Sequence, residues 1–184
     1  STCVHVVTEH EKYAPLRAAL GQDLRIEQVL GESAEGAAYL ARDLTLDRRV
    51  ETLLVGVNNQ YRGRDVDDYL GEFTRLLQRA IALANARANR VLVLSIPDWG
   101  VTPFARESGR DLQQIADELD AYNAAARDVC AAHGVAFVDI TGFSRDGGDA
   151  SVMLAEDGLH PSSLMYARWT QAALPMATGL LASR

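Results

Sequence analysis

Cysteine is scarce: Cys3 and Cys130 are the two thiols in 184 residues. Two thiols at no metal-ligand spacing cannot frame a disulfide scaffold or a zinc ribbon, and they read as ordinary cysteines of a reducing compartment. Long apolar runs are missing as well. None approaches the ~20 residues that a membrane-spanning helix needs, and the first residues show no charged segment followed by an apolar one, as a secretory signal would. Positive charge is in deficit, with 18 Lys and Arg against 25 Asp and Glu and a net charge of −7. Without surplus cations to neutralise phosphates, neither nucleic acid nor an anionic membrane surface is an expected partner. The chain also lacks G-x-G-x-x-G and any P-loop pattern, which argues against a nucleotide-binding domain. Repeats and low-complexity segments are absent. A cytoplasmic location is the expectation, with secretion the alternative if an upstream signal has been removed.

What is present suits one globular domain over 1–184 with a full core, at 48% hydrophobic and 23% charged residues. "VETLLVGV" (50–57), "RVLVLSI" (90–96) and "GVAFVDI" (134–140) are short, β-branched and nearly continuous in apolarity, as strands covered on both faces should be. "LRIEQVL" (24–30) reads as a fourth strand. Between them, Val66, Leu70, Phe73, Leu77 and Ile81 recur at helical spacing, as do Leu112, Ile115, Leu119, Tyr122, Ala126 and Val129. Strand and helix alternate, so the expected fold is α/β, a flavodoxin-like three-layer sandwich around a central parallel sheet. Ligands of such sheets bind beyond the carboxyl ends of the strands. "GES" after 24–30, "NNQYRGR" after 50–57 and "PDWGVTPF" after 90–96 are the polar loops expected there, within reach of "EDGLH".

"EDGLHPSSLMYARW" (156–169) places Asp157 three residues ahead of His160, with Gly158 between them and Pro161 expected to open a helix. A neutral imidazole takes a proton from a nucleophile only if its other ring nitrogen is held as a donor, and a nearby carboxylate does that while stabilising the imidazolium. Asp157 and His160 can form that pair within one turn; an acidic cap beside a surface His is the plainer alternative. "GVNNQ" (56–60) puts Asn58 and Asn59 at a strand end, where side-chain N–H groups could stabilise a developing oxyanion. Gly31 in "LGES" has no Cβ to keep a ligand from its N–H. Asn59, Tyr61, Trp99 and Phe104 are candidates for substrate contact, with packing the alternative for Trp99 and Phe104 and a solvated loop for Tyr61. His133 is expected at a helix C-terminus, and Tyr166 and Trp169 in the core.

These blocks resemble the SGNH (GDSL-type) serine hydrolases, whose four blocks supply in chain order a Ser, a Gly, an Asn and a D-x-x-H pair. Gly31 in "VLGES", Asn58 in "GVNNQ" and Asp157 with His160 in "DGLHP" match the second, third and fourth blocks over residues 24–184. Asn59 stands where G-x-N-D is the commoner form. The resemblance implies an α/β hydrolase that cleaves small acyl esters through a Ser-His-Asp triad, with Gly31 and Asn58 in the oxyanion hole and with no metal or cofactor. The first block, an apolar strand ending in Gly-Asp-Ser, does not occur, and two alignments compete. In one, "STCVHVV", Tyr13 and Pro15 follow the family pattern after its serine; Ser1 is then the nucleophile, and the first strand lies upstream of the sequence. In the other, "CVHVV" (3–7) is the first strand and Thr8 with Glu11 forms a capping box. The domain is then inactive and binds an acyl or carbohydrate ligand.

Overall fold

The computed structural model describes residues 24–33, 36–43 and 48–182, with side chains described from Val50 onward. Ser1, the "CVHVV" segment, the Thr8 and Glu11 pair, Tyr13 and Pro15 lie outside the described residues. In chain order the elements are β1 (Leu24–Ser33), β2 (Gly36–Asp43), β3 (Arg48–Leu53), α1 (Val57–Tyr61), α2 (Val66–Leu83), β4 (Val91–Leu94), α3 (Pro103–Glu107), α4 (Leu112–Ala132), β5 (Ala136–Val138), α5 (Thr141–Arg145) and α6 (Ser163–Ala182).

The parallel sheet β3–β4–β5 is covered by helices on both faces, the three-layer α/β/α arrangement. Successive side chains of a strand point to opposite faces, and "VLVL" is apolar on both. Val91 and Val93 join a core with Leu53 and the buried stripes of α2 (Tyr69, Phe73, Leu77) and α4 (Ile115, Leu119, Tyr122, Ala126). Leu92 faces the other way, against Val50 and Leu181 of α6, and Met165 and Trp169 of α6 close over Ile140 and Met153 nearby. Cys130 is fully buried in the first core, and burial pushes its thiol up to about 12, so it is a protonated apolar group. Asp65 and Asp111 cap α2 and α4 by accepting from Asp68 N–H and from Gln113 and Gln114 N–H. His133 ends α4, its Nδ1 2.9 Å from the Val129 carbonyl oxygen. Among the described residues no helix is long and apolar enough to cross a membrane.

The sheet departs from the expected pattern on one side. "GAAYLARD", not anticipated as a strand, forms β2, which pairs antiparallel with both β1 and β3. The cause is connection length: residues 34–35 and 44–47 are all that separate these strands, whereas a parallel crossover needs a dozen or more residues. Two antiparallel steps leave β1 running in the same direction as β3, so both carboxyl ends point to one end of the sheet. The strand expected over 50–57 stops at Leu53, because Gly56 (φ 125°) turns the chain into α1. The segment expected to turn after 24–30 instead continues the strand to Ser33.

At the carboxyl ends of β4 and β5 a buried polar knot replaces the cross-strand ladder. Ser95 Oγ accepts from the N–H groups of Ile140 (2.7 Å) and Thr141 (3.0 Å). Asn123 of α4 accepts from Ile96 N–H (2.7 Å) and donates to Ile96 C=O (3.0 Å) and Thr141 Oγ1 (3.1 Å). Stranding a buried donor or acceptor costs about 1–3 kcal/mol per group. Asn123→Ala should therefore lower unfolding stability by about 2–4 kcal/mol in a urea titration, and a change under about 0.5 kcal/mol, the size of an ordinary surface substitution, would show that the knot is not a stabilising element.

Candidate active site

Short α1 is fixed by its surroundings more than by its own length. Gly56 before it sits at φ 125°, and a Cβ there would stand 2.6 Å from Tyr69 Cε2 and 2.7 Å from Ile96 Cδ1, so only glycine fits. Along α1 the three amides are used differently. Gln60 is buried; its Nε2 donates to Glu118 Oε2 (2.7 Å) and its Oε1 accepts from the Trp99 indole N–H (2.7 Å). Asn59 donates to Glu72 Oε2 (2.8 Å), which turns it toward α2. Asn58, half-buried, has no side-chain hydrogen bond among the described residues. Its amide is thus the one of the three left open to another molecule.

The Asp157–His160 turn is built locally. Asp157 Oδ1 accepts from Leu159 N–H (3.0 Å) and His160 N–H (2.9 Å), while His160 Nδ1 lies 2.5 Å from Asp157 Oδ2. Gly158 supplies the left-handed residue (φ 67°) that lets the turn close. The flanks are pinned to each other: Ala155 N–H donates to His160 C=O (2.7 Å), Ser162 N–H to Met153 C=O (2.9 Å), and Leu154 bridges Pro161. Pro161 therefore sits in this bridge and not at the start of a helix. The helix α6 begins at Ser163, with Ser162 Oγ accepting from Met165 N–H (3.4 Å). Both side chains stay open to solvent, His160 at 53% and Asp157 at 50% exposure. Burial works against ionisation of Asp157, but hydrogen bonds from the His160 ring and from the backbone of His160 and Leu159 outweigh it and hold the carboxyl down at about 2. The carboxylate holds the Nδ1 side of the ring, and Nε2 has no hydrogen-bond partner among the described residues.

The loop leaving β4 joins these two pieces. Asp98, 3% exposed, accepts from Gly100 N–H (2.8 Å) and from Arg145 Nε (2.8 Å), which locks the turn Trp99–Val101. Trp99 is buried with its N–H spent on Gln60, whereas Phe104 is half-buried and Tyr61 is 46% exposed. The rings cluster: Tyr61 meets Trp99 edge-on at 5.4 Å, and Phe104 lies 6.5 Å from Tyr61 and 6.2 Å from Trp99. Phe104 N–H donates to Gly158 C=O (3.3 Å), so the aromatic cluster touches the histidine turn. Gly31 lies inside β1, opposite Ala38, at the same end of the sheet but separated from β3 by β2. Gln60, Asp98 with Arg145, and Arg110 over the Tyr61 ring had no sequence signal, because their partners are 39 to 58 residues away. Among the described residues no group of three His, Cys, Asp or Glu side chains could hold a metal ion.

The depressed Asp157 carboxyl has a defined acid signature. A group lowered in the fold stabilises it fully above its ordinary value of 3.8, and that contribution disappears as pH falls through about 2. A carbon-detected NMR titration of Asp157 should show a midpoint near 2, and a midpoint near 3.8 would contradict the hydrogen-bonded turn.

Comparison with known proteins bears on the whole arrangement. The GDSL-like Lipase/Acylhydrolase family matches residues 8–168. Among solved structures, "Crystal Structure of TesA" is 20% identical, with 71% of this chain and 63% of that one covered and a TM-score of 0.50. "Crystal structure of the lipase/acylhydrolase from Enterococcus faecalis" is also 20% identical, covering 60% and 52%, with a TM-score of 0.42. No curated protein matches. The chain thus spans less than two thirds of the TesA structure, a likeness that concerns the fold alone. With most of its length matched, and with the asparagine and the Asp-His turn lying in the matched segment, the chain belongs to the GDSL-like lipase/acylhydrolase family.

Proposed function

We propose that the protein is a serine esterase that cleaves short-chain or acetyl esters through an acyl-enzyme intermediate. Ser1 Oγ attacks the ester carbonyl carbon while His160 Nε2 takes its proton, and Asp157 holds the ring and stabilises the imidazolium. The carbonyl oxygen, now an oxyanion, is held by the Asn58 side-chain amide and the Gly31 N–H. Collapse of the tetrahedral intermediate expels the alcohol, which leaves with the proton from His160. Water, deprotonated by His160, then releases the acid and restores Ser1.

One observation carries this reading: His160 Nδ1 is 2.5 Å from an ionised Asp157 in a turn tied to the loop that follows β4. Family membership supports it, as does the Asn58 amide, which has no side-chain hydrogen bond among the described residues. Ser1 rests on the likeness of "STCVHVV" to the segment that begins at the family's nucleophile. A second reading aligns "CVHVV" with the family's first strand, which leaves Thr8 in place of the serine and a site that binds an acyl or carbohydrate ligand without turnover.

Hydrolysis of 4-nitrophenyl acetate and butyrate by the full-length protein separates them. On the esterase reading, His160→Ala lowers kcat/KM by a factor on the order of 10⁴, and Asp157→Asn, which no longer fixes the tautomer, by a comparable factor. Unchanged turnover in His160→Ala would refute His160 as the base. A folded parent that binds these esters without cleaving them would instead establish the binding domain.

A further inference from the structure

Arg110 is placed unlike Arg106, Arg127 and Arg145 of the neighbouring helices. Arg106 pairs with Asp149 (2.8 Å), Arg127 with Asp139 (2.9 Å), and Arg145 with Asp98 (2.8 Å) and Asp120 (2.9 Å). Arg110 has no carboxylate partner among the described residues, in a chain with seven more acidic than basic side chains. It is nonetheless held in place. Its guanidinium carbon lies 5.3 Å from the Tyr61 ring centroid and 5.4 Å from that of Trp99, and Nη1 donates to Tyr61 C=O (3.1 Å). A weakly hydrated planar cation can stack on rings in this way and keep its remaining N–H donors along the open edge.

Its place relative to the site gives that open edge a use. Tyr61 follows Asn58 by three residues on α1, and side chains three apart share a helix face. Phe104, in the same ring cluster, is hydrogen-bonded through its backbone to Gly158 of the histidine turn. A positive charge fixed on aromatic rings, with spare donors and no counterion among the described residues, therefore stands in the ring cluster that links the helix of Asn58 to the turn of His160. The wall beneath it is apolar, so an ester reaching it would meet a ring surface first and a cation at the rim.

We propose that Arg110 is a specificity-determining residue that selects esters carrying an anionic group, such as a carboxylate, on the part of the substrate lying along the Tyr61–Trp99–Phe104 wall; this rests on the esterase reading above. The guanidinium donates hydrogen bonds to the anion while the rings hold the guanidinium flat, so recognition of the charge needs little further ordering of the side chain.

The test compares matched esters on the full-length protein. The mono-4-nitrophenyl ester of adipic acid is set against its methyl-capped neutral counterpart, which reports an anion on the acyl side. 4-Carboxyphenyl acetate against its methyl ester reports one on the alcohol side. The expected result is a clear preference for the anionic member of one pair at low salt, carried by KM, which shrinks as ionic strength screens the contact. Arg110→Met should cut that anionic-to-neutral ratio of kcat/KM at least tenfold and abolish its salt dependence, with Arg110→Lys intermediate. Turnover with no anionic preference in either pair overturns the proposal, as does a ratio in Arg110→Met within twofold of the parent. If Arg110→Met does not fold, the parent's own preference and its salt dependence decide. Absence of turnover of all four esters by the folded parent overturns the esterase reading, and this proposal with it.

Discussion

Parallel strands part at their carboxyl ends, and the backbone groups released there must find partners if the ends are buried. In this chain the knot of Ser95, Asn123 and Thr141 supplies them, and the loop after β4 and the helix bearing Asn58 are positioned from it. It fixes where the chain leaves β4 and where α5 begins, one turn from Ser144 and Arg145, which in turn hold Asp98. Asp98 sets the turn that carries Trp99, Trp99 engages Gln60, and Gln60 seats the helix bearing Asn58. A network of this kind is worth most when complete, since each missing member leaves another polar group unpaired in a medium of low dielectric.

The two halves of the site are stabilised by different means. Asn58 and the aromatic cluster are set by burial and long-range hydrogen bonds. The Asp157–His160 pair is exposed and is set by a short turn whose backbone N–H groups grip one carboxylate oxygen and leave the other for the imidazole. An orientation held by hydrogen bonds can be maintained in contact with water, where burial alone would have pushed the carboxyl toward its neutral form. The pinned flanks from Met153 to Ser162 make this turn a stiff bracket on the protein surface.

The Asp-x-x-His pair was legible in the sequence because three-residue spacing with an intervening glycine is a local instruction. The same holds for the helical stripes of α2 and α4 and for His133 at the end of α4. Strand limits were less legible: nothing in "ETLLVGV" shows that Gly56 adopts φ 125° against Tyr69 and Ile96. The antiparallel β2 was missed because "GAAYLARD" has no β-branched residue, and only the short connections around it force the pairing. Trp99, a candidate for substrate contact, turned out to spend its N–H on Gln60, a residue whose burial no local pattern announces. Long-range partners such as Glu118 and Arg145 are fixed by the fold as a whole and have no signature of their own in the sequence.

The proposed function requires an ionised Asp157 and His160 to serve a serine nucleophile. The most direct measurement treats the full-length protein with a fluorophosphonate probe and locates the adduct by intact and peptide mass. One adduct is expected, on Ser1, and it is lost in His160→Ala. A folded protein that takes no label, or one labelled elsewhere, would contradict it.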